Sequence, residues 1–212
     1  MRYAEIDAVT VDGYGTLLTL RDPLPALQAA LAECDVYRSW DDLQAAFLAE
    51  VAHYKPRSLR GSDAAGLAAL RLECVTVFLH AAGAGDQIDA AGFVAAFIEA
   101  LEFEAVPGAV ATLDDLRRRG IALAMVSNWD CALPDHIERL GLGHLFQTVV
   151  ASAVAGAEKP DPRIFRVALA QLGVEPGRAL HIGDEPNDEQ GAAAAGMRFA
   201  PAPIATAFEG WS

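Results

Sequence analysis

The sequence predicts an α/β protein: a doubly wound parallel sheet, interrupted after its first strand by an all-helical insert. Three observations carry this. Apolar runs alternate with helical patterns from Pro107-Gly108 to the end of the chain. Between Pro23 and about Leu101 the periodicity is helical and no convincing strand occurs. Three apolar runs end in short polar side chains, at Asp12, at Ser127-Asn128 and at Asp184. In open parallel sheets ligands bind beyond the carboxyl ends of the strands, so these tips share the edge where chemistry is expected.

Taken in order, Ile6 to Val11 reads as the first strand. Leu43, Phe47, Val51 and Tyr54 recur at helical spacing, as do Leu67, Leu70, Leu72, Val75 and Leu79. Ser58 to Gly66 breaks that pattern and reads as a loop. Val110 to Arg119 predicts a helix closed by Gly120, and Ile121 to Val126 a strand. Leu133 to Leu140 predicts a helix closed by Gly141, and Thr148 to Ala151 a short strand. Asp161-Pro162 starts a helix as cap and first residue, ending at Gly173. A strand over Ala179 to Ile182, a helix over Asp188 to Ala195 and a strand over Met197 to Ala200 complete the core. The expected division is a core of residues 1–18 and 103–212 and a helical insert of residues 19–102.

Composition narrows the function. Of 212 residues, 53% are hydrophobic and 21% charged, a globular balance. A net charge of -13 leaves no basic footprint for a phosphate backbone, so no nucleic-acid partner is expected. Cys34, Cys74 and Cys131 are scattered, without a C-x-x-C pair, which suits a reducing compartment and no zinc site. The start MRYAEIDAV lacks the apolar region of a signal peptide, and no apolar run reads as long enough to span a bilayer. The expectation is a soluble, cytoplasmic protein with no membrane partner.

Each polar tip has more than one reading. Asp12, on a glycine-bounded loop, suits a nucleophile, a metal ligand or a cap. Ser127-Asn128 suits oxyanion binding or an ordinary N-cap. Lys159, in GAEKPDPRIF, suits charge stabilisation at a site or a solvated loop. Asp184 and Asp188, in HIGDEPNDEQGA, are a ligand pair if they meet Asp12; otherwise Asp188 is favourable helix N-terminal charge. Three converging carboxylates repel unless protons or a cation neutralise them, and a hard divalent ion such as Mg²⁺ is the economical answer.

The segments DGYGT, SN, KP and GDEPND, in that order across the whole core, resemble the haloacid dehalogenase superfamily of aspartyl-nucleophile hydrolases. The helical insert resembles the small helical cap of one of its subfamilies. VSNWD, GAEKPDPRIF and ALHIGDEPNDEQGAAAAGM resemble its haloacid dehalogenase-like hydrolase branch. The resemblance implies a Rossmann-like core in which Asp12 attacks the substrate and forms a covalent intermediate. It implies that Ser127 and Lys159 hold the transferring group, and that Asn128 orients Asp12 or Lys159. It implies Mg²⁺ held by Asp12, the Tyr14 backbone carbonyl and Asp184, with Asp188 orienting the waters of the metal. Gly13 and Thr16, on the same loop, are assigned to substrate binding.

Tyr14 departs from the pattern. Phosphatases of the superfamily usually carry a second aspartate there, which protonates the leaving alcohol. A phenol, with an ordinary pKa of about 10, is poorly matched to that task near neutrality. The 2-haloacid dehalogenases of the superfamily also carry D-x-Y-G-T, because halide leaves without a proton. They work without metal, however, and replace the carboxylate at the place of Asp184. Retention of Asp184 and Asp188 favours a metal-dependent phosphatase acting on a small, anionic phosphorylated metabolite. The alternatives are a metal-independent 2-haloacid dehalogenase and a binding or regulatory protein on the same scaffold.

Two further assignments concern the substrate. Lys55, Arg57 and Arg60 make HYKPRSLRG locally basic, and Arg60 is assigned to an anionic substrate against the alternative of a solvated turn. Trp129 is assigned to the pocket lining against the alternative of core packing. The five histidines show no ligand spacing, and His181, alternating within a strand, reads as structural.

Overall fold

A computed structural model describes residues 3–211. They divide into two compact units. One runs up to Thr19 and from Phe103 onward, and the other is Leu20–Glu102.

The first unit holds a five-stranded sheet of β1 (Ala8–Val11), β4 (Ala122–Ser127), β5 (Thr148–Ala151), β6 (Ala179–Gly183) and β7 (Arg198–Pro201). The order is β5-β4-β1-β6-β7, with every pairing parallel. The chain steps outward from β1 through β4 to β5, then returns to the other side of β1. The topological switch point therefore lies at β1, flanked by β4 and β6. Both faces are covered, as parallel sheets require, which is why these strands read as continuous apolar runs. Val9, Val11, Leu123, Met125, Leu180 and Ile182 face one layer, with α5 (Ala109–Arg118) and α6 (Leu133–Arg139). Ala8, Ala124, Val126 and Ala179 face the other, with α8 (Pro162–Leu172) and α9 (Pro186–Ala195). A one-turn helix, α7 (Ser152–Ala155), follows β5.

Predicted boundaries in this unit hold to within about two residues, whereas the loop expected over Ser58 to Gly66 is confined to residues 61–63, between a 3-10 helix at Lys55–Arg60 and a helix that starts at Ala64. Gly120, Gly141 and Gly173 adopt positive φ after their helices, and the Asp161 side chain accepts a hydrogen bond from Arg163 N–H as a cap. A two-stranded sheet, β2 (Leu18–Leu20) with β3 (Phe103–Ala105), is additional, and lies where the chain passes between the units. Three-residue strands are too short for a period-2 pattern to register.

The second unit contains α1 (Leu24–Ala32), α2 (Trp40–Tyr54), α3 (Ala64–Ala81) and α4 (Ala90–Glu99). The side chains of Ser39, Asp63 and Asp89 accept the first-turn amides of α2, α3 and α4. Leu27, Leu31, Leu43, Val75, Phe78, Leu79 and Phe97 form its own core, with the Phe78 and Phe97 rings 5.0 Å apart. One expectation is corrected here. By length and hydropathy, α3 could cross a membrane, having 18 residues and a mean hydropathy of 1.4. Its apolar residues instead supply a core stripe, with Leu70, Val75, Phe78 and Leu79 buried, while Glu73 on the same helix pairs with Arg60.

Candidate active site

The sheet edge is built from the loop after β1. Val11 lies level with Met125 of β4 and Ile182 of β6, and Asp12 N–H donates to Ile182 O at 2.9 Å. The carboxylate of Asp12 therefore emerges between the two neighbouring strands. The chain then folds back tightly, with the amides of Leu17 and Leu18 donating to Gly13 O at 2.9 and 2.8 Å. Gly15 sits at φ +89°, and a Cβ there would collide with the Asp184 carboxylate, so only glycine serves.

Four groups converge on one another. Ser127 Oγ donates to Asp12 Oδ1 at 3.0 Å. Lys159 Nζ donates to the same Asp12 oxygen and, at 2.5 Å, to Asp188 Oδ1. Asn128 fixes the lysine through its backbone: Lys159 N–H donates to Asn128 Oδ1 at 2.7 Å, and Asn128 Nδ2 donates to Lys159 O at 3.1 Å. Asp188 is held in turn by the start of α9, its Oδ2 accepting from Glu185 N–H at 3.0 Å in a capping box. A Cβ at Gly183 would overlap the Asp188 carboxyl group, so this approach also depends on glycine.

Asp12 is 6% exposed, Lys159 5% and Asp188 0%. Burial pushes the Asp12 carboxyl up and Asp188 adds to this, against the Lys159 charge. Burial also pushes Asp188 upward, but the His181 hydrogen bond and the Lys159 ammonium outweigh it and hold the group at about 2. Burial keeps His181 below its ordinary value.

One carboxylate oxygen each from Asp12, Asp184 and Asp188 lies within 4.8 Å of the others. Opposite ligands of a six-coordinate ion with metal–oxygen distances near 2.0–2.1 Å are about 4.2 Å apart. Three carboxylates against one ammonium leave surplus negative charge, and every donor is a hard oxygen. The set fits a small divalent cation.

Of the other assigned residues, some support the cluster and some lie apart from it. Tyr14 is exposed, and its backbone bridges to Leu18. Thr16, assigned to substrate, is fully buried and donates to Asp184 Oδ1 at 2.8 Å, so it positions that carboxylate. Gly13, likewise assigned, makes room for Ser127, whose Oγ would lie 2.7 Å from a Cβ there. Trp129, assigned to the pocket lining, is buried in the hydrophobic core of the first unit. Its ring packs edge-on against Phe103 at 5.1 Å, and its amide donates to Ser152 Oγ. Arg60 lies in the helical unit with both terminal nitrogens on Glu73, at 2.7 and 2.6 Å, so its fork is already occupied. His181, read from the sequence as structural, is fully buried and places Nε2 2.9 Å from Asp188 Oδ1, a contact with the cluster that the sequence did not indicate.

Residues 6–196 match the model of a family described as haloacid dehalogenase-like hydrolases. The chain belongs to this family. Among curated members, haloacid dehalogenase-like hydrolase domain-containing protein 3 of Bos taurus is 48% identical over 96 residues, which is 45% of this chain and 38% of that protein. A phosphoserine phosphatase of Thermus thermophilus is 44% identical over 107 residues, or 48% of this chain and 42% of that protein. The chain thus aligns with only about two-fifths of the length of these relatives. Among solved structures, a 2-haloacid dehalogenase of Pseudomonas syringae pv. Tomato DC3000 superposes with a TM-score of 0.60 and 26% identity, over 92% of this chain and 85% of that one.

Proposed function

We propose that this haloacid dehalogenase-like hydrolase is a magnesium-dependent phosphatase acting on a small, anionic phosphorylated metabolite. The observation that carries this reading is the convergence of three carboxylates, two of them paired with Lys159, at the switch point of the sheet. The phosphatase relative from Thermus thermophilus supports it.

Asp12, Asp184 and the Tyr14 carbonyl would hold Mg²⁺, with Asp188 orienting its waters. The ion would supply charge neutralisation at the carboxylates and at the transferring phosphoryl group. Asp12 attacks phosphorus as the bond to the leaving oxygen breaks, the departing oxygen takes a proton from water, and the resulting hydroxide cleaves the aspartyl phosphate, returning free phosphate and the Asp12 carboxylate. Burial makes Asp12 intrinsically basic, and the neighbouring cations keep it ionised for attack. Ser127 and Lys159 steady the nucleophile before attack and offset the equatorial oxygens during transfer. Thr16 fixes Asp184, and Asn128 fixes Lys159. Tyr14 offers only a phenol to the leaving group, so aryl and acyl phosphates should react much faster than alkyl phosphates. The helical unit is read as a cap that selects substrate, without Arg60 as its anion anchor. Three free cysteines suit the reducing cytoplasm.

The test is phosphate release from p-nitrophenyl phosphate, acetyl phosphate and glycerol 3-phosphate, with Mg²⁺ and with EDTA. Metal-dependent release graded by leaving-group pKa supports the proposal. The second reading, a 2-haloacid dehalogenase, is favoured by Tyr14 and by the Pseudomonas syringae relative. It predicts chloride release from 2-chloropropionate that survives EDTA, an outcome that would overturn the phosphatase.

A further inference from the structure

We propose that His181 is a positioning residue for the nucleophile, acting through Asp188 and Lys159 and held in place by Thr10. The proposal rests on the phosphatase reading above for its kinetic consequences and on the geometry alone for its existence.

Thr10 of β1 and His181 of β6 are register partners across the sheet. Both are fully buried. Strand alternation turns them toward the layer of α8 and α9, away from the one that Val9, Val11, Leu180 and Ile182 face. The Phe165 ring of α8 packs edge-on against the imidazole at 4.8 Å, and Phe199 of β7 lies 6.4 Å away, which limits rotation of the ring. Thr10 Oγ1 lies 2.8 Å from Nδ1, and Nε2 lies 2.9 Å from Asp188 Oδ1.

Donor and acceptor chemistry fixes the tautomer. Asp188, paired with Lys159, is a carboxylate and can only accept. A carboxylate acceptor requires the proton on Nε2, which donates to Asp188, and in the neutral ring Nδ1 then accepts from the Thr10 hydroxyl. Asp188 Oδ1 then receives two donors, His181 and Lys159, while Oδ2 receives the Glu185 amide. With three of about four lone pairs engaged by protein donors, Asp188 is an anchor for the lysine more than a metal ligand. The order Thr10, His181, Asp188, Lys159, Asp12 transmits the rigidity of the central strands to the reacting carboxylate. A neutral donor in the second place leaves Lys159 as the single protein cation in this chain of contacts.

Two neutral amides discriminate this role from mere packing. In His181→Gln the amide nitrogen reaches about as far as Nε2, whereas in His181→Asn it reaches only about as far as Nδ1. With p-nitrophenyl phosphate and Mg²⁺, H181N should lose roughly 10–100-fold in kcat with KM little changed. H181Q should retain most of the turnover. Calorimetric titration with Mg²⁺ alone should show the same ranking of affinity. Equal losses in the two variants, or a change in KM only, would overturn the proposal.

If neither variant folds, nitrogen NMR of the histidine-labelled, unmodified protein decides. A protonated Nε2 on His181 supports the relay, and a bare Nε2 with the proton on Nδ1 overturns it. Absence of phosphatase turnover in the unmodified protein would defeat the functional reading while leaving the tautomer result to judge the relay.

Discussion

The two edges of the parallel sheet handle charge in opposite ways. β1 is bracketed by Asp7 and Asp12, and β6 by Arg178 and Asp184. At the amino edge Asp7 receives both Nε and Nη2 of Arg178, one carboxylate against one guanidinium, both half exposed. A cavity of about 260 Å³ opens beside them, but its two arginines are already paired, Arg178 with Asp7 and Arg119 with Asp115. At the carboxyl edge three carboxylates cluster, two of them buried, and Lys159 pairs with those two, Asp12 and Asp188. The comparison teaches that count and burial, not the presence of acidic residues, mark the reactive edge. A balanced, solvated pair is screened and closes on itself. An unbalanced, desolvated cluster leaves negative charge that a further cation or a proton relieves.

The largest effect should come from the proposed nucleophile. Asp12→Asn should lower metal-dependent phosphatase turnover by about 10⁴-fold or more, while Asp7→Asn leaves it near wild type. Equal effects in steady-state assays would erase the distinction between the edges.

Next is the stability of the buried cluster. Lys159→Met leaves Asp12 and Asp188 uncompensated and should cost about 3–5 kcal/mol in urea unfolding with EDTA present. Mg²⁺ should recover part of that loss. Arg178→Met, which breaks the exposed pair, should cost far less.

A smaller effect is the acid limb of stability. The pKa of Asp188 falls from 3.8 when unfolded to about 2 when folded, so its contribution is present above about pH 4 and is lost as pH falls toward 2. That shift corresponds to about 2 kcal/mol. Asp12, raised by burial, works with the opposite sign, its contribution being lost as pH rises. Unfolding midpoints measured from pH 5 to 2 should therefore flatten in Asp188→Asn. The smallest effect is at Asp7, whose carboxyl the Arg178 hydrogen bond holds low. It shares the sign of Asp188, and Asp7→Asn should shift the acid limb slightly, an effect that disappears at about 1 M salt.

How much was legible followed from the range of each signal. Asp12, Ser127, Lys159, Asp184 and Asp188 stand at element ends, where strand tips and helix starts are marked by local chemistry. Thr16 and Trp129 could not be placed, because hydrogen bonding to Asp184 and packing on Phe103 connect residues far apart in sequence. His181 escaped because a lone histidine inside a strand carries no local signal. Its meaning depends on Thr10, 171 positions away, and on the pitch of α9. The occupied fork of Arg60 was hidden for the same reason, since Glu73 sits on the next helix.

Periodicity, terminal glycines and polar strand tips were enough, by themselves, to define an α/β core with a helical insert and to nominate one sheet edge. Those features are local, and the backbone responds to them within a few residues. Which carboxylates meet, which two of them pair with Lys159 and that His181 reaches Asp188 were decided only in the folded chain. Strand register and helix packing bring together groups more than a hundred residues apart, and buried polar contacts exist only once that packing has excluded water.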